Sequence, residues 1–163
     1  MATYENTRYN FPGLTLPDNI SFDTASKGIY LGVTTPTASN LLDDYEEGTW
    51  TPTVSGGLTG FTVQQAKYTK IGQIVNISMY VNALTGASGS RVDIGGLPFT
   101  SATNLFGTGV VLSGSGKVGV VRVQTASTTA RLYYANASTG NRDDLTGTLL
   151  GTQIILSVTY QTT

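Results

Sequence analysis

The chain has 163 residues, a net charge of −1 and only 12 % charged residues, which suits one domain of ordinary size with an extension. It contains no cysteine and no histidine, which excludes a disulfide framework and the Ser/His and Cys/His nucleophile systems. Its 27 threonines, 20 glycines and 13 serines are typical of β-rich extracellular or virion surfaces. We therefore expect no enzyme activity and no cofactor.

The nine basic residues are scattered along the sequence, so we expect no nucleic-acid partner. No apolar run approaches the ~18 residues that a bilayer-spanning helix needs, so we expect no membrane insertion. The first ten residues, MATYENTRYN, lack the basic start and apolar core of a signal peptide. We expect a chain of this kind, if it works outside a cell, to be released by lysis as virion components are.

Residues 1–38 are predicted to form an extended N-terminal arm. Its apolar residues stand singly between polar ones, and no helical or strand period is sustained. A segment of this kind cannot bury its own apolar groups. We expect it to lie in grooves of another surface through six anchors: Tyr4, Tyr9, Phe11, Leu14, Ile20 and Phe22.

Residues 39–48 (SNLLDDYEEG) are predicted to form a short helical junction. Ser39 or Asn40 can cap its start, and Gly48 suits a left-handed residue after its end. Four of the ten acidic residues of the chain fall within five positions of this segment: Asp43, Asp44, Glu46 and Glu47. A helix of about two turns is too short to stand alone, so its apolar side chains would hold it to a neighbour.

The acidic block has two further interpretations, a carboxylate metal site and a catalytic carboxylate pair. Both are disfavoured, because the four carboxylates would point around a helix rather than converge on one ion. We therefore predict no metal site. Trp50 follows the block, and we favour a core or interface position for it over a sugar-binding platform. Three residues are predicted as junction or interface contacts: Leu42, Tyr45 and Trp50.

Residues 49–163 are predicted to form an antiparallel β-sandwich or jelly-roll-like domain. Apolar and polar residues alternate from 75 to 82 and from 154 to 161, as expected of half-buried strands. Gly-, Ser- and Asn-rich turns separate about eight segments at 8–12-residue spacing. The predicted strands cover residues 49–55, 61–72, 75–82, 92–99, 106–113, 118–124, 130–137 and 154–161.

Three segments carry a resemblance to a known group of proteins. They are GIYLGVTTPTASNLLDDYEEGTWTPTVSGG (28–57), KYTKIGQIVNISMYV (67–81) and IGGLPF (94–99). Together they resemble a module of tailed-bacteriophage virion structural proteins, often tail fibres, and the LDDYEEGTWTP block is the most specific part. The resemblance implies a virion location on the capsid exterior or tail and a homotrimeric β-structure. It implies no catalytic residues.

Three functions follow as hypotheses. An arm joined to one β-domain suits a capsid decoration (cement) protein, a homotrimer whose arm binds the major capsid protein or another virion protein. The same layout suits a short tail-fibre or spike module that binds a host surface glycan. A polysaccharide-cleaving enzyme is the weakest hypothesis, because Asp93, Asp143 and Asp144 are the only acids after residue 47.

Overall fold

A computed structural model of the protein describes residues 27–32, 35, 37–38, 41–42, 44–103, 107–136, 138 and 140–162. Within these residues no helix is long and apolar enough to cross a membrane. The regular structure of the described residues is twelve strands and one short helix, so the predicted all-β fold is confirmed. The elements are β1 (Ile29–Tyr30), β2 (Leu41–Leu42), β3 (Tyr45–Thr49), β4 (Thr53–Gly56), β5 (Gly60–Ile71), β6 (Ile74–Thr85), β7 (Val92–Gly95), β8 (Thr108–Ser113), β9 (Val118–Val123), β10 (Ala130–Ala135), β11 (Arg142–Asp144), α1 (Gly147–Leu150) and β12 (Gln153–Gln161).

Ten of the strands form one antiparallel sheet. Its strand order is β3-β5-β6-β12-β8-β9-β10-β7-β4, and β11 pairs with β10 beside this path. The long hairpin β5–β6 and the meander β8–β9–β10 are local pairings, whereas β12 joins them by inserting between β6 and β8. β1 and β2 form a separate two-stranded ladder.

The sheet curls so that its two end strands approach each other. β3 and β4 stand at opposite ends of the strand order, yet only residues 50–52 separate them in the chain. A link of this length spans at most about 14 Å. A backbone hydrogen bond from Trp50 N to Ala66 O (3.3 Å) holds this link against β5. The result is the sandwich-like fold that the sequence predicted, with an inner face around the core and an outer face.

Strand alternation decides which side chains form the core. In β6 every second residue from Val75 to Val81 is buried, and in β12 every second residue from Ile154 to Tyr160. Successive side chains of a strand point to opposite faces, so the residues between them lie on the outer face. Full burial of an aliphatic side chain stabilises a fold by about 1.5–3 kcal/mol. These two central strands therefore contribute much of the stability.

The helix predicted over residues 39–48 is wrong within the described part of this segment. Leu41–Leu42 and Tyr45–Thr49 are strands, and β3 pairs with β5 from Tyr45↔Ile71 to Thr49↔Lys67. The reason is tertiary: a two-turn helix is marginal alone, whereas a strand here completes the backbone hydrogen bonds along the edge of the long strand β5. The short helix of the fold lies instead at α1.

Two predicted strands are shorter than expected. The strand predicted over 49–55 is divided, because the chain leaves β3 at Thr49 and crosses to the other end of the sheet before β4 begins. The strand predicted over 92–99 ends at Gly95. The next residue, Gly96, has a φ of 76°, and a Cβ there would lie 2.3 Å from the carbonyl oxygen of Thr51, so the close approach of the 50–52 link requires glycine.

Candidate functional site

The residues predicted for binding fall in different places. Leu42 in β2 and Tyr45 in β3 are exposed, at 38 % and 57 % of their surface, whereas Trp50 is 7 % exposed. Their contact with a partner stays a prediction. The six predicted arm anchors lie outside the described residues: Tyr4, Tyr9, Phe11, Leu14, Ile20 and Phe22.

Trp50 packs into the hydrophobic core beneath the link between β3 and β4. Its indole Nε1 donates a hydrogen bond to the carbonyl oxygen of Ser78 in β6, at 3.4 Å. A buried indole needs such an acceptor for its N–H group. The core position is one of the two, core or interface, that the sequence favoured over an exposed sugar platform.

Of the acidic block, the structure describes Asp44, which directly precedes β3, and Glu46 and Glu47 on β3, the end strand of the sheet; these three carboxylates have separate partners. Asp44 forms an ion pair with Lys70, and Glu46 accepts a hydrogen bond from the hydroxyl of Tyr68. Both partners belong to β5. Within the described residues no three His, Cys, Asp or Glu side chains are grouped so that they could hold a metal ion. Charges on an end strand discourage a further strand from pairing with it, which gives the block a structural role.

Two tyrosines accompany this block. The hydroxyl of Tyr45 donates to Glu47 at 2.7 Å. The hydrogen bond to each carboxylate is the main reason why the pKa values of Tyr45 and Tyr68 are raised. Both phenols are therefore neutral donors at neutral pH, and neither is an activated base.

An apolar patch crosses β12, β8 and β9 on the outer face of the sheet. Ile155 lies opposite Leu112, which lies opposite Val118, and Val110 lies opposite Val120. The side chains therefore form two adjoining rows on one face. Each exposes between 40 % and 65 % of its surface, and together we call them the outer apolar patch: Val110, Leu112, Val118, Val120 and Ile155.

The outer apolar patch is larger than single exposed aliphatic residues would produce. Its side chains present on the order of 400 Å² of apolar surface, the range in which patches on monomers mark interaction sites. Towards β6 both rows continue with uncharged residues. Tyr80 lies opposite Ile155, and Ser157 lies opposite Val110. A shallow depression of about 270 Å³ lies between these strands.

Four arginines meet beside the outer apolar patch, although they are distant in sequence. Arg122 in β9 is the cross-strand neighbour of Arg131 in β10. Arg91 precedes β7 and binds Asp93 through Nε and Nη2, at 3.0 and 2.9 Å. These interactions raise the pKa of Arg91, chiefly through the hydrogen bond to Asp93.

The ring of Tyr133 lies at the centre of this group. The guanidinium carbons of Arg142 and Arg122 lie 4.2 and 5.8 Å from the ring centroid. Tyr133 is consequently only 6 % exposed although it lies on the outer face, and the next residue, Tyr134, packs against the core. We call the four residues the arginine cluster: Arg91, Arg122, Arg131 and Arg142.

Comparisons with protein-family models, with curated proteins and with solved structures found no match for this chain. The function of its surfaces is therefore inferred from their own chemistry.

Sequence analysis missed both outer-face features. The sequence signal for the outer apolar patch is the pair of nearly continuous apolar runs, GVVL (109–112) and VGVV (118–121). Such runs indicate strands covered on both faces. The arginine cluster has no local signal, because its members meet only once the register of β7, β9, β10 and β11 is known.

Proposed function

We propose that this chain is a structural protein of a tailed-bacteriophage virion, a homotrimeric capsid decoration protein that attaches through its N-terminal arm. The observation that carries the proposal is the outer apolar patch, a face that needs a partner to cover it. The resemblance of segments 28–57, 67–81 and 94–99 to phage virion modules supports the location on a virion.

A second and third copy of the chain are the occupants that fit the outer apolar patch best. The patch and its neighbours Tyr80 and Ser157 on the β6 side carry no charge, so copies that meet through this part of the face avoid like-charge contacts there. A stable interface buries about 800 Å² per partner around an apolar centre, and the patch would supply that centre. Closed symmetry around a threefold axis covers one patch on each subunit.

The arm supplies attachment in this proposal. Its predicted anchors, among them Tyr9, Phe11 and Leu14, would each contribute ~1–2 kcal/mol by burial in grooves of the capsid surface. Three arms on one trimer bind by avidity, far more tightly than a single arm. Because the arms hold the trimer on the capsid, the uncharged Thr- and Ser-rich surface of the β-domain needs no further contact with the capsid.

The attachment model is tested by deleting residues 1–30. We expect the truncated chain to remain a folded trimer, by circular dichroism and native mass, and to be absent from virions purified after addition of the protein. A full-length control in which Tyr9, Phe11 and Leu14 are replaced by serine should bind weakly. Full decoration of virions by the truncated chain would contradict the model.

A short tail-fibre or spike module is the second candidate. The observation that favours it is an open groove of about 520 Å³, which is lined by the apolar residues Trp50, Val63 and Ala66 and by more polar side chains that include Gln64, Gln65, Lys67 and Tyr80. Amide and hydroxyl groups beside an aromatic ring suit a neutral sugar. Quantitative mass spectrometry of virions separates the candidates: a copy number comparable to the major capsid protein supports decoration, and a small fraction of it supports a fibre.

A further inference from the structure

We propose that a second apolar surface of the chain, the junction patch, receives the outer apolar patch of a neighbouring copy, so that the trimer is assembled head to tail. The junction patch lies where the N-terminal segment joins the β-domain, and it consists of six exposed side chains: Ile29, Tyr30, Leu42, Tyr45, Ile71 and Ile74. This inference rests on the homotrimer proposed above and deepens it, because it names the surface on which each outer apolar patch docks.

Three side chains of the junction patch form one row across neighbouring strands. Tyr45 in β3 lies opposite Ile71 in β5, and Ile71 lies opposite Ile74 in β6. Cross-strand neighbours point to the same face of a sheet, and Ile74 precedes the buried Val75, so the row lies on the outer face. Each of the three side chains exposes between 43 % and 57 % of its surface, much as the members of the outer apolar patch do.

The β1–β2 ladder adds further apolar side chains beside this row. Ile29 lies opposite Leu42, and Tyr30 lies opposite Leu41. Leu42 precedes Tyr45 by three residues, so their Cα atoms are at most about 11 Å apart. A two-stranded ladder is only marginally stable in water by itself. The apolar side chains of the ladder therefore need a surface that covers them.

A threefold ring needs two different surfaces on each subunit, because every subunit offers one surface to one neighbour and another surface to the other neighbour. The described residues expose thirteen large hydrophobic side chains, of which five form the outer apolar patch and six form the junction patch; the remaining two are Leu31 and Val63. The exposed apolar side chains therefore fall almost entirely into two groups, one for each neighbour.

The two patches are separate and point in different directions. Between them on the outer face lies a row of uncharged polar side chains, each opposite the next: Thr69, Asn76, Thr159 and Thr108. The apolar row of the junction patch is centred on β5, and the outer apolar patch is centred on β8, three positions further in the strand order. Because the sheet curls until β3 and β4 approach each other, its outer face turns between these positions. A different neighbour can therefore cover each patch.

The areas of the two patches also favour head-to-tail contact. The junction patch exposes on the order of 500 Å² of apolar surface, and the outer apolar patch about 400 Å². A standard interface buries about 1,600 Å² in total, of which slightly more than half is apolar, and one patch of each kind would supply roughly 900 Å². Three outer apolar patches that met only at the axis would bring about 400 Å² to each interface and would leave every junction patch in water.

The test is sedimentation velocity of the full chain and of two matched double variants. The patch variant is Val110→Thr with Val120→Thr, and the junction variant is Ile71→Thr with Ile74→Thr; both are cross-strand pairs. Val63→Thr is the control. Threonine keeps a branched side chain and suits a strand, so every variant should give the circular dichroism spectrum of the original chain. We expect the original chain and the control to sediment as trimers and each double variant as a monomer.

An equimolar mixture of the two double variants gives the decisive result. The mixture contains one intact surface of each kind, so one head-to-tail contact can form between the two variants. It should therefore sediment as a dimer of twice the chain mass of 17.1 kDa. The mixture is measured at about ten times the concentration at which the original chain is half assembled, because mass action must replace the closure of the ring.

A second measurement is chemical cross-linking, which the chain allows because it contains no cysteine of its own. In a variant that carries both Leu112→Cys and Ile74→Cys, a flexible bis-maleimide should link neighbouring subunits, because the outer apolar patch of one subunit lies on the junction patch of the next. Neither single variant should be linked, because identical positions are far apart in a head-to-tail ring.

Each outcome separates this inference from the homotrimer on which it rests. A junction variant that stays trimeric, a mixture that stays monomeric, or cross-linking of the Leu112→Cys variant alone would overturn head-to-tail assembly and leave the homotrimer in place. A monomeric original chain would overturn the homotrimer itself, and head-to-tail assembly with it.

Discussion

The hydroxyl group of Tyr160 lies in the core, where the side chain is 3 % exposed. It donates to the carbonyl oxygen of Phe99 at 3.0 Å. Burial raises the pKa of Tyr160 from 10.0 to about 12, and the hydrogen bond that its hydroxyl oxygen accepts from the N–H group of Phe99, at 3.3 Å, only partly opposes this. The folded chain therefore keeps a proton that the unfolded chain loses first as the pH rises.

The free energy of unfolding at alkaline pH should report the ionisation of Tyr160. The stabilisation by neutral Tyr160 is complete below pH 10 and is lost as the pH rises from 10 to about 12, with a loss of about 2–3 kcal/mol in the free energy of unfolding. Urea denaturation at a series of pH values measures it. In Tyr160→Phe we expect lower stability at pH 8 and a shallower alkaline decline. An identical decline in both proteins would show that other groups cause it.

Side-chain positions could be predicted from the sequence where strand period alone decides them. Tyr160 and Met79 belong to alternating runs and are buried as the period indicates. Tyr133 is different: its period places it on the outer face, and it is buried only because Arg122 and Arg142 cover it. The side chains that bury Tyr133 belong to other strands, so the local sequence pattern cannot predict its burial.

Strand β3 shows why a whole element was predicted wrongly. SNLLDDYEEG has a cap, acidic residues early and a terminal glycine, all signals of a helix. These signals are worth only about 1 kcal/mol each. Five residues of ladder with β5, with the side-chain bonds Asp44–Lys70 and Glu46–Tyr68, outweigh them. The local sequence does not show that β5 lies beside this segment, and pairing with β5 decides that the segment forms a strand.

The charges of β3 should keep this end strand from pairing with other chains. Replacing Glu46 and Glu47 by threonine removes two charges and raises β-propensity. We expect the variant to aggregate faster in light-scattering assays at 37 °C, with little change in its urea midpoint. The variant with both residues replaced by aspartate keeps the charge and should stay as soluble as the original chain. Equal aggregation of the two variants would rule out a role for charge.

The architecture of the whole molecule was predictable only in part. The alternating segments and the turns between them predicted an antiparallel sandwich-like domain, and the structure has one. The insertion of β12 between β6 and β8, and the curl that brings β3 and β4 together, depend on pairings between distant segments. The outer apolar patch is completed by the pairing of β12 with β8, and the arginine cluster depends on the pairing of β10 with β7, β9 and β11, which is why neither was predicted.

Self-association through the outer apolar patch is tested most directly by the mass of the protein in solution. Light scattering after size-exclusion chromatography should give three times the chain mass of 17.1 kDa. Replacing Val110 and Val120, a cross-strand pair, by threonine keeps their shape and should yield monomers. The control replaces Val63, which is exposed elsewhere, and should remain trimeric. A monomeric original chain, or a patch variant that stays trimeric, would contradict the account.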